Sequence, residues 1–196
     1  MAGWTMSQLR QLGQDLDTSH ALQDYRDGHR LAAVLMLVYP GAREPHIILT
    51  RRTEHLPTHA GQISFPGGSI DPRDPDPVHT ALREAYEEIA LVRDNVEVLG
   101  ILDVTVLPSG FAVAPVLAIT DSAPELVANP DEVEEIFSLP LSLAANLGAY
   151  GRDFLERDGQ RREFWTLQFG DYYIWGATAR MLRELAHLLT VSSGRQ

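Results

Sequence analysis

Apolar positions recur along this chain with two different periods, and the switches between them mark out its elements. Leu9, Leu12 and Leu16 stand at helical spacing within Met6–Leu16 and predict a short amphipathic helix. Leu31–Tyr39 and His46–Arg52 are β-rich runs, split by a Pro-Gly-containing stretch, 40–45, that reads as a hairpin loop. A long connection from Thr53 to Ser64 leads into Phe65-Pro66-Gly67-Gly68, a backbone bend that side chains would obstruct. Asp71–Pro77 is a loop ending in Asp76-Pro77, an N-cap followed by proline in the first helical position. The pattern is helical from Val78 to about Leu91. Strands are predicted over Val96–Val104, Val113–Thr120 and Val133–Leu139, and a hairpin joins Glu163–Phe169 to Tyr172–Trp175 about Gly170-Asp171. Ala177–Leu189 closes the chain as a helix with Met181, Leu182, Leu185, Leu188 and Leu189 on one side. The expected fold is α+β: an α/β/α sandwich in which helices flank a mixed sheet.

Length changes this picture only by limiting it: 196 residues suit one domain, 1–196, with 1–25 as an N-terminal extension packed on it. No apolar run approaches a bilayer span and the first residues lack the apolar stretch of a secretory signal, so a cytoplasmic protein with no membrane partner is expected. The absence of cysteine excludes disulfides, thiolate metal sites and a cysteine nucleophile. A net charge of -11 without a Lys/Arg run argues against nucleic acid, while still allowing a phosphorylated small molecule if cations stand between the two sets of negative charge. A homodimer is the candidate assembly.

Chemistry concentrates on the helix from Val78. Leu82, Ala85, Tyr86 and Ile89 form the predicted buried stripe, and at about 100° per residue Glu84, Glu87 and Glu88 share the opposite face. A solvated charged face is the bland reading, but Glu84 repels Glu87 and Glu88 at i+3 and i+4, and Arg83 alone can relieve them by pairing with Glu87. Carboxylates clustered on a rigid helix are what hard divalent cations need.

Gly68, the acidic loop and Arg83-Glu84-Ala85-Tyr86-Glu87-Glu88-Ile89-Ala90-Leu91 resemble the Nudix box: glycine, five residues, glutamate, seven residues, then Arg-Glu-apolar-any-Glu-Glu-any-Gly-apolar. Asp74 stands for the first glutamate, one extra residue precedes Arg83, and Ala90 replaces the late glycine. The resemblance implies Glu84 and Glu88 as leading ligands of Mg²⁺ or Mn²⁺, with Glu87 as a further ligand or water-orienting group and the Gly68 carbonyl completing the set. Arg83 would brace Glu87, and either Glu87 or Glu132 would take the proton from the attacking water.

The run from His46 to Gly68, including Leu49-Thr50-Arg51-Arg52 and Gly61-Gln62-Ile63-Ser64-Phe65-Pro66-Gly67-Gly68, resembles the coenzyme A pyrophosphatase branch of that superfamily, with Pro57 where the branch has arginine. Asn129-Pro130-Asp131-Glu132-Val133 and Ile174-Trp175-Gly176-Ala177-Thr178-Ala179 add to the likeness. It implies hydrolysis of coenzyme A or its acyl or disulfide forms to 3',5'-ADP and 4'-phosphopantetheine or its derivative, with Arg51, Arg52 and Gln62 as substrate-binding residues. Another nucleoside diphosphate derivative, such as ADP-ribose, NADH or a dinucleoside polyphosphate, and a non-catalytic nucleotide-binding protein remain the alternatives. Pro57 breaks any helix that would bring His55 and His59 to one zinc ion. Of the aromatics Phe164, Trp165, Tyr172, Tyr173 and Trp175, strand alternation assigns about half to the core.

Overall fold

The computed structural model describes residues 4–17, 22–55, 60–157 and 160–193. Its elements are α1 (Met6–Gly13), β1 (Arg30–Pro40), β2 (Pro45–Arg52), β3 (Ile63–Ser64), β4 (Gly67–Ser69), α2 (Pro77–Ile89), β5 (Glu97–Ile101), β6 (Thr105–Val106) and β7 (Phe111–Ile119). They continue with β8 (Val133–Pro140), α3 (Leu141–Ala144), β9 (Tyr150–Arg157), β10 (Gln160–Phe169), β11 (Tyr172–Trp175) and α4 (Gly176–Ser193).

β1 is the spine of the fold. Ala32, Met36 and Val38 point into one apolar cluster and Ala33, Leu35 and Leu37 into the other, which is why its sequence is a continuous apolar run rather than an alternating one. Along one side it pairs in parallel with β7 over Arg30–Val38. Its other side is shared: β2 pairs antiparallel at Val38–Pro40, and β4 pairs antiparallel at Ala32–Val34. β1 and β2 therefore diverge, and β3 and β4 enter the gap between them. β8 pairs with β2, and β5 and β6 pair with β7, completing an eight-stranded mixed sheet. α2 packs on one face, while α1, α3 and α4 cover the other, giving the expected sandwich. β9, β10 and β11 form a separate antiparallel sheet, with the two-residue turn at Gly170-Asp171 where the sequence placed it. Trp165 and Tyr172 pack against the core while Tyr173 is exposed, as strand alternation requires. No helix among the described residues is long and apolar enough to cross a membrane.

Several elements differ from their sequence reading. Val96–Val104 is interrupted, because β5 ends at Ile101 and β6 begins at Thr105. The bend at Gly67-Gly68 is itself a short strand, and β3 lies inside the supposed connection. The buried stripe of α2 is rotated by about 60° from its predicted position: Tyr86 is 63% exposed, whereas Glu88 is 2% exposed. Ala81 and Ala85, both fully buried, lie in the apolar cluster that α2 shares with the sheet. The small side chains sit where helix and sheet meet, and the bulky phenol is turned to solvent.

Ala90 ends α2 with φ 54° and ψ 30°, the left-handed conformation that glycine adopts without cost. Its N–H donates to the Tyr86 carbonyl at 2.9 Å, so the turn closes despite the methyl group. Ala90→Gly should raise the unfolding free energy by about 1 kcal/mol, a rise in Tm of roughly 2–4 °C. A lower Tm by calorimetry would show that the alanine carries no strain there.

Candidate active site

α2 begins where the sequence predicts: the Asp76 carboxylate accepts from the His79 N–H at 2.7 Å and Pro77 opens the first turn. Just before it, Asp74 turns back toward the helix. Its carboxylate accepts from Arg83 Nη2 at 2.9 Å and Nε at 3.2 Å, and from the Thr80 hydroxyl at 2.8 Å. The Arg83 guanidinium, foremost among these contacts, holds the Asp74 pKa down to about 2. With its fork anchored on Asp74, Arg83 directs Nη1 to Glu84 at 2.9 Å and to Glu87 at 3.2 Å. It braces Glu87 as the sequence suggested, and it braces Glu84 as well.

Two of the three glutamates are withdrawn from water. Glu84 lies against Gly68, so closely that a Cβ on that residue would stand 2.5–2.7 Å from its carboxyl atoms. A Cβ on Gly67 would overlap Ala33 and Val34 of β1. The glycine pair thus lets backbone, sheet and carboxylate occupy one small space. Burial raises the Glu84 pKa, opposed chiefly by the hydrogen bond from Arg83. Glu88, predicted on the open carboxylate face, is instead enclosed at the sheet margin. Its Oε2 accepts from the Gly67 N–H at 3.3 Å, and Arg52 Nη1 lies 3.5 Å from Oε1. Desolvation outweighs these contacts and pushes its pKa to about 8. Glu87 is half exposed at the rim.

The neighbouring predictions divide by strand face. Arg52 shares its side of β2 with Ile48 and points to Glu88. Arg51 lies on the other side, 3.0 Å from Glu135 and 3.5 Å from Glu134, the residue left unpaired where the register of β8 shifts, so it is drawn away from the carboxylates as alternation along β2 requires. Gln62 adjoins Arg52, whose N–H donates to its carbonyl at 3.0 Å. Glu132 is close enough for its charge to raise the pKa of both Glu84 and Glu88. Pro57 and His59 lie outside the described residues, and His55 contacts the Asp131 carbonyl at 3.2 Å. The sequence reading gave Asp74 no role beyond its place in the motif, and it missed Asn129; spacing relative to Arg83 and Glu132 was the available signal.

The donor set fits a hard divalent cation. It consists of oxygens only, on a rigid helix and a backbone it touches, and Glu88 has as its cationic neighbour a guanidinium no closer than 3.5 Å. As they stand, no three acidic or histidine side chains among the described residues converge on one point: Glu84 and Glu87 turn to Arg83, and Glu88 to Gly67 and Arg52.

Because the Glu88 value lies above the ordinary 4.5, its neutral form favours the fold; that stabilisation is complete below about pH 4.5 and is lost as pH rises through about 8. In chelator, the unfolding free energy of the wild type should therefore fall relative to Glu88→Gln between pH 5 and 8, by up to about 1.4 kcal/mol per pH unit. Urea titrations with the same pH dependence for both proteins would contradict this.

A family model for the NUDIX domain matches residues 29–157. A Citrobacter koseri protein described as an uncharacterized Nudix hydrolase, NudL, is 42% identical over 157 residues, covering 80% of this chain and 81% of the relative. An Escherichia coli NudL, described in the same words, is 40% identical over 158 residues, covering 81% and 82%. Among solved structures, a Caenorhabditis elegans Ap4A hydrolase complex superimposes with a TM-score of 0.54 at 17% identity, covering 83% of this chain and 98% of that one. The Mycobacterium smegmatis Nudix hydrolase RenU gives 0.52 at 22% identity, covering 61% and 75%. With the family model spanning the carboxylate helix and these relatives matched along most of their length, the chain belongs to the Nudix hydrolase family.

Proposed function

We propose that this Nudix hydrolase cuts the diphosphate bond of coenzyme A or its acyl or disulfide derivatives, releasing 3',5'-ADP and 4'-phosphopantetheine or its derivative, with Mg²⁺ or Mn²⁺ as cofactor. The observation that carries the hydrolytic part is the Glu84 carboxylate seated on the Gly68 backbone beside a buried, poorly neutralised Glu88. The substrate rests on the resemblance of the run 46–68 to the coenzyme A branch, a run that supplies Arg52, Gly67 and Gly68 to this site.

Glu84, Glu88, Glu87 and the Gly68 carbonyl would hold the cation once Glu84 and Glu87 turn from Arg83. When bound, it offsets the charge of the diphosphate and acidifies water for in-line attack on phosphorus. The remaining work belongs to the chain. Arg83, fixed by Asp74, keeps Glu84 and Glu87 in place. Arg52 makes only a long contact to Glu88, which leaves its fork available to a phosphate oxygen; Gln62, whose carbonyl accepts from the Arg52 N–H, is the second substrate-binding residue of this reading. Arg51, paired with Glu134 and Glu135 on the opposite strand face, is directed away from Glu88. Glu87 is engaged by Arg83, so Glu132, whose charge acts on both Glu84 and Glu88, accepts the proton from water.

The test is product chromatography after incubation with Mg²⁺ or Mn²⁺ and a panel of coenzyme A, acyl-coenzyme A, NADH, ADP-ribose and diadenosine polyphosphate. Cation-dependent release of 3',5'-ADP from coenzyme A is expected, with Glu88→Gln slower by on the order of a hundredfold or more and still folded. Cleavage of another panel member alone would replace the substrate, and no cation-dependent cleavage would overturn the hydrolytic reading. Arg52→Ala should raise KM by roughly tenfold or more through loss of a charge-assisted phosphate contact, and an unchanged KM would remove Arg52 from substrate binding.

A further inference from the structure

The loop entering β8 crosses the exit of α2 and is tied to it by more hydrogen bonds than a connection needs. The Val127 N–H donates to the Ile89 carbonyl at 3.0 Å, and the Asn129 N–H to the Glu88 carbonyl at 2.9 Å. The Asn129 side chain adds Nδ2 to the Glu87 carbonyl at 3.3 Å. The last carbonyls of the carboxylate helix, which have no partner within the helix, thus find donors in this loop. Asn129 also shapes the turn that leads into β8. Its Oδ1 accepts from the Asp131 N–H at 3.2 Å, and its carbonyl accepts from the N–H groups of Glu132 at 3.1 Å and Val133 at 2.8 Å. Pro130 has no N–H to offer, so the next three amides all turn back on one residue. The far side of the turn is fastened to the exit of β2, where the Thr53 N–H donates to the Glu132 carbonyl at 3.1 Å.

We infer that Asn129 is a positioning residue, which registers the turn carrying Glu132 against the residues of α2 that carry Glu87 and Glu88. The amide suits this task because it donates to a helix carbonyl and accepts from the turn at once. Aspartate has the shape but no donor, and its charge would stand at the negative end of the helix. Alanine has neither group. The inference rests on the proton-accepting role proposed for Glu132, and the experiment separates the two.

kcat and KM are measured for wild type, Asn129→Ala, Asn129→Asp, Glu132→Gln and the double variant Asn129→Ala/Glu132→Gln, using coenzyme A or the panel member that the wild type cleaves fastest. Mn²⁺ binding is measured without substrate. Asn129→Ala and Asn129→Asp should each lower kcat by about tenfold, with KM and Mn²⁺ affinity within about twofold of wild type. In the Glu132→Gln background the loss of Asn129 should produce no further fall, since the group it positions is already gone. An unchanged kcat in both Asn129 variants, or the same fall with and without Glu132, overturns the inference and leaves the role of Glu132 intact. Wild-type turnover in Glu132→Gln removes that role and this inference with it, while a slow Glu88→Gln still upholds the hydrolase. Should Asn129→Ala fail to fold, the isosteric Asn129→Asp carries the same comparison through its own double variant.

Discussion

The structure turns on a close approach between unlike partners: the Gly67-Gly68 backbone, held in the sheet by β1, and the carboxylates of α2. Removing a carboxylate from water costs several kcal/mol unless charge or hydrogen bonds offset it. Here Glu88 receives one backbone N–H and a distant guanidinium, and Glu84 shares Arg83 with Glu87. The offset is incomplete, as the raised pKa of both buried groups records. An acidic cluster under-neutralised by its own chain is stable only because the sheet beneath and the helix around it are determined elsewhere, by apolar packing. The deficit is also what the site offers a cation, which would supply the charge that the protein withholds.

The divergence of β1 and β2 is what makes the approach geometrically available. A β1 paired along its full length with β2 would leave no place for β4, and the glycine pair could not lie under α2. Because β2 leaves β1 after Ile47, its later residues carry Arg52 toward Glu88, and β8 runs beside β2 to deliver the turn with Glu132. Residues from four regions of the chain, near 52, 68, 84 and 132, therefore meet through one topological feature. Arg83 and Asp74 do for the helix face what β4 does for the backbone: they fix groups that would otherwise repel one another into other rotamers.

Much of this was legible in the residues because local rules and the final packing agree. The Asp76-Pro77 cap, the Gly170-Asp171 turn, the double-sided apolar run of β1 and the i, i+4 pairing of Arg83 with Glu87 each have one natural reading. The failures have separate causes. Helical periodicity locates an apolar arc but not its centre, which depends on which side chains are small enough to touch the sheet; Ala81 and Ala85 shifted it past Tyr86 toward Glu88. Arg51 and Arg52 are equivalent by composition, and only strand alternation against a known face separates them. β9, polar but for a few positions, carries no amphipathic pattern, and it is a strand because β10 is there to pair with it. Asn129 acts through backbone carbonyls of a distant helix, which no side-chain pattern announces.

The departures from the family motif bear on whether the site is kept or decaying, and the structure gives each a physical account. Aspartate in place of glutamate shortens the side chain by one methylene, yet Asp74 still reaches Arg83 with both oxygens, from a loop that carries one extra residue. Alanine in place of glycine keeps the left-handed exit at Ala90, accepting strain to end the helix where the loop from Val127 can cap it. Both changes fall in supporting positions, and both supports still perform their function. A site drifting away from catalysis loses first what is costly and unrewarded, and the costliest feature here is the set of mutually repelling, partly buried glutamates. That the compromises lie in the supports, while every carboxylate and the arginine that restrains them is intact, is the pattern expected of a chain whose chemistry still depends on them.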